Sequence, residues 1–347
     1  MFPMRAYHAD QFVLPLPPGH PFPMGKYRLL REAVHEHLPL LRILQAEPAS
    51  DEELALAHEP EWIDAVAQGR TTAAQQREIG FPWSSAMVER ARRSVGATIA
   101  AARAALFDDE GVAANLAGGT HHAFAHKGSG YCVFNDVAVA ARLMQIEAHR
   151  RRQPLLRVWV IDLDVHQGNG TAAIFRDDES VFTLSLHGQK NFPFRKEASD
   201  LDVELPDDCD DERYLEALQA ALDAAWARQA SAPPGLAFYL AGADPHVDDR
   251  LGRLALSEQG LAARDRLVFE RLRRLGIPVA VSMAGGYNRD PQVTVRIHRR
   301  TLELADAAAT AWALDRQRGP DARGQMEQWP RSPPPAAAVS ACAPFYD

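Results

Sequence analysis

The 347-residue sequence has few of the features that would assign it to a specialised class of protein. It contains three cysteines, Cys132, Cys209 and Cys342, whose number and spacing provide neither a disulfide framework nor a zinc finger. No run of about 18 apolar residues is present, so we expect no transmembrane helix. No apolar stretch follows basic residues at the N-terminus, which argues against a signal peptide. Together these absences predict a cytoplasmic protein.

Basic residues are fewer than acidic residues, 38 against 46. The formal net charge is −8 and no basic stripe occurs, so we expect no nucleic-acid partner. Hydrophobic residues make up 46% and charged residues 24%, which suits a globular protein with a substantial core. The Pro- and Ala-rich segment at 319–347 lacks hydrophobic periodicity. We therefore predict one domain over residues 1–318, followed by an irregular tail.

Short apolar runs alternate with Ala- and Leu-rich amphipathic segments. Strands are predicted near 112–116 and at 155–161, 181–186, 235–241 and 277–283. Helices are predicted at 84–106, 135–150, 211–229 and 257–275, the last with Ser257 as its N-cap. This alternation indicates an α/β protein with a mostly parallel sheet covered on both faces. In such sheets, ligands bind beyond the carboxyl ends of the strands.

Charged residues follow the strand at 155–161 directly. Asp162, Asp164 and His166 would be costly to bury without partners, and a bound cation would remove that cost. Asp164 and His166 stand two residues apart, so an extended chain points them the same way, and both are good zinc ligands. We expect Gly168 and Gly170 to allow a tight turn into the next helix.

Three other strands also end beside polar residues. Asp244 follows the strand at 235–241 and is a candidate third ligand, which leaves a coordination position open. His121 and His122 follow the strand near 112–116, and adjacent histidines can act as a general base and its electrostatic partner. Tyr287 follows a Gly-Gly pair after the strand at 277–283 and can donate a hydrogen bond to a developing oxyanion.

Six segments then complete a known set of motifs: GGTHHA, GYCVFNDVAVAA, VIDLDVHQGNGTAAIF, TLSLH, LAGADPHVDDRLGRLALS and SMAGGY. In this order they resemble the histone deacetylase family, over about residues 5–310. The resemblance implies the arginase/deacetylase fold, with three αβα layers around a mostly parallel eight-stranded sheet. It also implies zinc-dependent hydrolysis of the amide that joins an acetyl or longer acyl group to a lysine side chain.

The resemblance implies roles for individual residues. It places Zn²⁺ on Asp164, His166 and Asp244. It makes His122 the general base and later the acid, with His121 as an electrostatic neighbour that bonds to Asp162. Tyr287 polarises the amide carbonyl. Potassium is implied beside the zinc loop, on Asp162, Asp164, His166, Ser185 and Leu186. The narrow acyl-lysine channel is implied to involve Gly130, Tyr131, Phe192 and Gly286, with Phe194 as an alternative to Phe192.

One position departs from the familiar class I pattern. Asn169 stands where those enzymes carry an aspartate as the partner of His122. An amide cannot raise the basicity of a histidine as a carboxylate would. Together with the Gln167-Gly168 pair before it, this residue resembles the class IV branch, which is similar to the long-chain lysine deacylases. The segment GFPWS at 80–84 agrees with a bacterial relative of that branch.

Three alternatives stay open. A deacetylase of small amines such as acetylpolyamines would need a closed acidic pocket, and no long insertion is present to build one. A ureohydrolase with two Mn²⁺ ions would need further patterned Asp and His ligands. A non-catalytic acyl-lysine-binding module is disfavoured by the complete set of catalytic residues. The expected partner is an acylated lysine in a protein or peptide, or a small acylated amine, and the sequence leaves the oligomeric state open.

Overall fold

The computed structural model describes residues 3–11 and 13–317. The tail predicted at 319–347 lies outside these residues, so the boundary at 318 stays a prediction. The described chain contains one sheet of eight strands: β1 (Arg5–His8), β2 (Arg42–Gln45), β3 (Val112–Asn115), β4 (Val158–Asp162), β5 (Val181–Gly188), β6 (Leu201–Leu205), β7 (Leu236–Leu240) and β8 (Val279–Ser282). All neighbouring strands pair in parallel, in the order β2-β1-β3-β8-β7-β4-β5-β6.

Helices connect these strands. Within the same residues they are α1 (Lys26–His37), α2 (Asp51–Leu54), α3 (Pro60–Ala67), α4 (Ala73–Ile79), α5 (Ser85–Leu106), α6 (Asp136–Arg150), α7 (Asn169–Phe175), α8 (Asp211–Gln229), α9 (Glu258–Leu275) and α10 (Pro291–Gln317). None of the described helices is long and apolar enough to cross a membrane.

The sheet is buried on both faces, as the sequence predicts. Along β4, Val158 and Val160 pack into the core shared with α5 and α6. Trp159 and Ile161 pack into the opposite core, which is shared with α1, α8, α9 and α10. Alternate residues of a strand point to opposite faces, so an apolar strand of this kind requires cover on both sides. The three-layer αβα architecture is therefore confirmed.

The ends of several helices follow from capping residues in the sequence. Ser84, Asn135 and Ser257 each accept a hydrogen bond from the backbone N–H three residues later and start α5, α6 and α9. The predicted N-cap at Ser257 is thus confirmed. The edge strands β2 and β6 are not among the predicted strands, because their sequences RILQ and LDVEL mix polar and apolar residues.

The topology brings the predicted chemistry to one place. The four strands with polar residues beyond their ends are β3, β8, β7 and β4, and these are consecutive neighbours in the sheet. Because all of them run in the same direction, their carboxyl ends meet at a single edge.

Candidate active site

The three candidate metal ligands lie together at this edge. Asp164 and His166 follow β4, Asp244 follows β7, and the two strands are paired neighbours. One ligand atom from each of the three buried residues lies within 4.8 Å of the other two. His166 Nδ1 is 2.9 Å from Asp164 Oδ1 and 3.3 Å from Asp244 Oδ2.

These residues fit a divalent cation. Asp244 Oδ2 is a buried carboxylate oxygen that accepts no hydrogen bond from the described protein, although His166 Nδ1 lies 3.3 Å away. A buried charged oxygen without a donor is rare and costly, and a metal ion removes the cost. Two carboxylates and one imidazole also form a donor set of the kind that zinc accepts.

Without an ion, the pKa values of the three groups adjust to one another. Burial lowers the pKa of His166, but Asp164 and Asp244 outweigh it and raise the value to about 10. Burial and the charge of Asp164 raise the pKa of Asp244 to about 7. Burial opposes ionisation of Asp164 too, but His121 and His166 lower its pKa below the ordinary value. A proton on His166 thus balances the two carboxylates when no ion is bound.

Backbone N–H groups hold the carboxylates in place. Gly285 donates to Asp164 Oδ2 at 2.8 Å, and Val165 donates to Asp244 Oδ1 at 2.9 Å. A Cβ at position 285 would lie 1.8 Å from Asp244 Oδ2, so only glycine fits beside the carboxylates of Asp164 and Asp244. The Gly-Gly pair before Tyr287 therefore serves the candidate metal centre as well as the tyrosine.

The two histidines have different partners on their Nδ1 atoms. His121 Nδ1 lies 2.6 Å from Asp162 Oδ2, and His122 Nδ1 lies 2.7 Å from Asn169 Oδ1. Because an amide oxygen only accepts, His122 carries its proton on Nδ1 when it is neutral, and its Nε2 keeps a lone pair. The two rings are 4.1 Å apart between centroids.

These partners move the pKa values of the pair apart. Burial lowers the pKa of His121, but the charges of Asp162 and Asp164 raise it to about 9. The pKa of His122 falls well below its usual range, first through burial and then through the positive charges of His121 and His166. His121 is therefore protonated at neutral pH, while His122 is neutral and able to accept a proton.

Gly168 and Gly170 were expected to allow a tight turn into α7, but the structure gives a different reason for them. Gly168 has φ −72°, which any residue adopts, so no unusual turn requires a glycine there. A Cβ at position 168 would instead lie 2.3 Å from Asp162 Oδ2, and one at position 170 would lie 2.3 Å from the carbonyl oxygen of Ala123. Close packing around the histidine loop explains both residues.

Tyr287 is held by its backbone from the loop after β7. Asp249 Oδ2 accepts the Tyr287 N–H at 2.6 Å, and Arg250 Nε donates to the Tyr287 carbonyl at 2.8 Å. The buried Lys26 ammonium donates to the Gly286 carbonyl at 3.1 Å and lies 5.1 Å from the Tyr287 ring centroid. Burial and the nearby carboxylates raise the pKa of Tyr287 well above its ordinary value, so the phenol keeps its proton.

Asp249, Arg250 and Lys26 are absent from the residues that the sequence singles out. The first two stand inside the LAGADPHVDDRLGRLALS segment, and this position was the available signal for them. Lys26 stands outside the six segments, so no motif pointed to it. What each of them contacts could not be read from its position in the chain.

The predicted channel residues are partly brought together. Gly130 and Tyr131 line the cavity that reaches Asp164, His166 and His122. The Phe192 ring stands edge-on to the His122 ring at 4.9 Å, whereas the Phe194 side chain is 90% exposed. Phe192 is therefore the residue against the site. The Gly286 carbonyl accepts a hydrogen bond from Lys26, and a Cβ at Gly286 would lie 2.6 Å from the Thr294 side chain, so the channel role of Gly286 stays a prediction.

The residues predicted to bind potassium lie in β5 and at or just after the end of β4, and Asp162 among them contacts His121. Asp162 and Ser185 are register partners on the neighbouring strands β4 and β5. Ser185 Oγ is 2.9 Å from His187 Nδ1, and the Leu186 side chain packs in the apolar core. Only the backbone carbonyl of Leu186 could therefore contribute to an ion site.

The fold and these residues define a three-layer α/β protein with a candidate metal centre beside a histidine pair. The family model of the histone deacetylase domain matches residues 20–302. The chain belongs to the histone deacetylase family.

The chain is also similar to individual proteins and to solved structures. An uncharacterised protein of Picosynechococcus is 44% identical over 83% of this chain and 93% of its own length. Histone deacetylase 2 of Arabidopsis thaliana is 31% identical over 77% of this chain and 70% of its own length. The crystal structure of an HDAC homologue complexed with SAHA superposes with a TM-score of 0.71 at 25% identity, covering 88% of this chain and 84% of that one.

We predict that the free energy of unfolding of the metal-free protein falls between neutral pH and about pH 10. The pKa values of His121 and His166 rise from 6.5 to about 9 and about 10. The folded state therefore binds more protons than the unfolded state, and this stabilisation is lost as the pH rises through those values. Urea unfolding in the presence of a chelator measures it. Stability that is constant or rises over this range would contradict the prediction.

We predict that Asn169→Asp raises the pKa of His122 in the metal-free protein by roughly one to three pH units, because a carboxylate favours the imidazolium. Titration of the histidine ring nitrogens by NMR measures this change. His58, whose ring bonds to the Phe124 carbonyl and the Asn135 N–H, is the internal control. An unchanged His122 titration would show that Asn169 does not set its basicity.

Proposed function

We propose that the chain is a zinc-dependent amidohydrolase that removes an acetyl or longer acyl group from a lysine side chain. The observation that supports this most directly is what meets at one edge of the sheet. Three buried candidate ligands lie beside Tyr287 and beside His122, whose Nδ1 bonds to Asn169 and whose Nε2 keeps a lone pair. Membership of the histone deacetylase family supports the same class of reaction.

Asp164, His166 and Asp244 would hold the Zn²⁺ ion. When bound, the ion supplies Lewis-acid polarisation of the amide carbonyl and makes water more acidic. Two carboxylates cancel the charge of Zn²⁺, so the surrounding side chains have to contribute more than they would beside three neutral histidines.

His122 acts first as a base and then as an acid. Its Nε2 takes a proton from the water whose oxygen bonds to the carbonyl carbon. The C–N bond then breaks, His122 returns the proton to the departing nitrogen, and lysine and a carboxylate are released. In the metal-free protein, burial and the charge of His121 lower the pKa of His122, which favours the unprotonated form that this role requires. The positive charge on His121 makes return of the proton easier.

Tyr287 stabilises the negative charge that develops on the carbonyl oxygen. Its phenol keeps its proton because burial and nearby carboxylates raise its pKa, so it donates a hydrogen bond to that oxygen. Asp249 and Arg250 fix its backbone from both sides. Tyr131 and Phe192 would flank the aliphatic stem of the lysine.

A potassium ion beside the candidate metal centre is part of the proposal. Asp162 and Ser185 lie next to each other across β4 and β5, and the Leu186 carbonyl is one residue further along. Carboxylate, hydroxyl and carbonyl oxygens are ligands that a hard cation prefers. Such an ion would offset part of the negative charge of Asp162.

The decisive experiment measures zinc content and turnover on the same preparation. We expect close to one zinc per chain and hydrolysis of at least one member of a fluorogenic acyl-lysine peptide series from acetyl to myristoyl. An acetylated polyamine assayed in parallel tests the small-amine alternative. His122→Ala is the matched control, and we expect it to keep zinc and lose turnover.

Two outcomes would overturn the proposal. Zinc-containing protein that binds acyl-lysine peptides but hydrolyses neither them nor the polyamine would be a binding module. Faster turnover of the polyamine than of every peptide would favour the small-amine reading.

We predict that Tyr287→Phe lowers kcat by about 10²- to 10³-fold, the usual effect of removing one donor to an oxyanion. Zinc content should not change, because the phenol is not among the candidate ligands. Asp164→Ala should lose the metal itself. Steady-state kinetics with metal analysis distinguishes the two effects, and full activity of Tyr287→Phe would exclude the oxyanion role.

A further inference from the structure

A completely buried arginine connects the two loops that carry the candidate ligands. Arg264 lies on α9, and one of its terminal nitrogens, Nη1, donates to the Gly242 carbonyl at 2.6 Å and the Leu163 carbonyl at 3.3 Å. Leu163 directly precedes Asp164, and Gly242 stands two residues before Asp244. A single guanidinium thus holds the loop after β4 and the loop after β7.

Gly242 is the point at which this contact reaches the candidate metal centre. A Cβ at Gly242 would lie 2.7 Å from Asp244 Oδ1 and 2.8 Å from Asp164 Oδ2. The backbone of Gly242 therefore lies against the space that both ligand carboxylates occupy, with no room for a side chain. We expect a shift of Gly242 to disturb the arrangement of the two carboxylates.

The guanidinium is itself fixed in orientation. Its Nε and second terminal nitrogen both contact Asp265 Oδ1, at 2.9 and 2.8 Å. Asp265 in turn accepts the Tyr239 hydroxyl at 2.5 Å and the Thr301 hydroxyl at 2.6 Å. Tyr239 belongs to β7 and Thr301 to α10, so the pair is braced against the sheet and a second helix.

A contribution to stability does not by itself explain why the Arg264–Asp265 ion pair is buried. Arg264 and Asp265 are almost fully excluded from solvent. Removing two charges from water costs about as much as their attraction returns, and apolar residues of similar size often serve as well. What apolar residues cannot provide is a planar donor that binds two carbonyl groups in one geometry.

We propose that Arg264 is a positioning residue that sets the separation of Asp164 and Asp244, and through it the affinity of the site for a divalent ion. This inference rests on the proposed metal-binding function. Asp265 orients the guanidinium, and the Gly242 and Leu163 carbonyls transmit its position to the ligands.

The experiment compares Arg264→Met, which removes the donors, with Arg264→Lys, which keeps the buried charge but not the planar fork. Arg271→Met is the matched control, because Arg271 is a largely buried arginine on the same helix that pairs with Asp223 on α8. Zinc affinity is measured by competition with a chelator at fixed pH. Thermal unfolding is recorded with and without zinc.

We expect Arg264→Met to weaken zinc binding by about 10- to 100-fold, as loss of a residue that orients metal ligands commonly does. Arg264→Lys should recover part of that loss. The rise in unfolding temperature on adding zinc should shrink in both, because it depends on the affinity of the folded state for the ion. Arg271→Met should lower stability without changing the zinc affinity.

The results separate this inference from the proposed function. A wild-type protein without measurable zinc affinity would overturn the proposed function. Wild-type affinity in Arg264→Met, or an equal loss in Arg271→Met, would overturn the positioning role while leaving the metal site intact. If Arg264→Met does not fold, Arg264→Lys decides, and unchanged zinc affinity in that variant counts against the inference.

Discussion

Three carboxylates, those of Asp162, Asp164 and Asp244, lie almost completely buried at the ends of two neighbouring strands. Each loses its hydration there, and like charges repel strongly in an interior of low dielectric constant. Without an ion, protons on His121 and His166 balance this charge, which is why the pKa values of both histidines are raised. A divalent cation would replace the proton on His166 Nδ1, which faces the carboxylates of Asp164 and Asp244. The chemistry proposed for the site therefore starts from an electrostatic requirement of the fold.

The same requirement explains the glycines at this edge of the sheet. Backbone N–H groups can approach a buried carboxylate only where no side chain stands in the way. A Cβ at Gly285, Gly242 or Gly168 would lie within 3 Å of a carboxylate oxygen. Gly168 and Gly285 have no left-handed backbone, so lack of space and not an unusual φ accounts for them. The Arg264 guanidinium reaches the same loops from the helix layer and binds the backbone carbonyl groups of Leu163 and Gly242.

The histidine pair shows how two adjacent residues of one type acquire different properties. Asp162 adds a negative charge beside His121, whereas Asn169 accepts the His122 proton without adding charge. The positive charge on His121 is then felt fully by its neighbour, and the pKa of His122 falls. An aspartate at this position would oppose that effect with a second carboxylate. Family resemblance is therefore least informative about the acid–base balance of this site.

Local patterns in the sequence determined the fold class, the helix starts and the candidate ligands. Capping by Ser84, Asn135 and Ser257 involves residues three positions apart, and parallel strands must end at one edge, so both could be predicted. Strand β2 could not, because at a sheet edge pairing with β1 matters more than its own pattern. The residues that hold the site in place were decided by the tertiary structure alone. Arg264 binds a carbonyl 101 positions away and Lys26 one 260 positions away, and no local pattern marks such contacts. The protonation states of the two histidines were also decided by the tertiary structure, because they depend on burial and on charges that only the folded chain brings together.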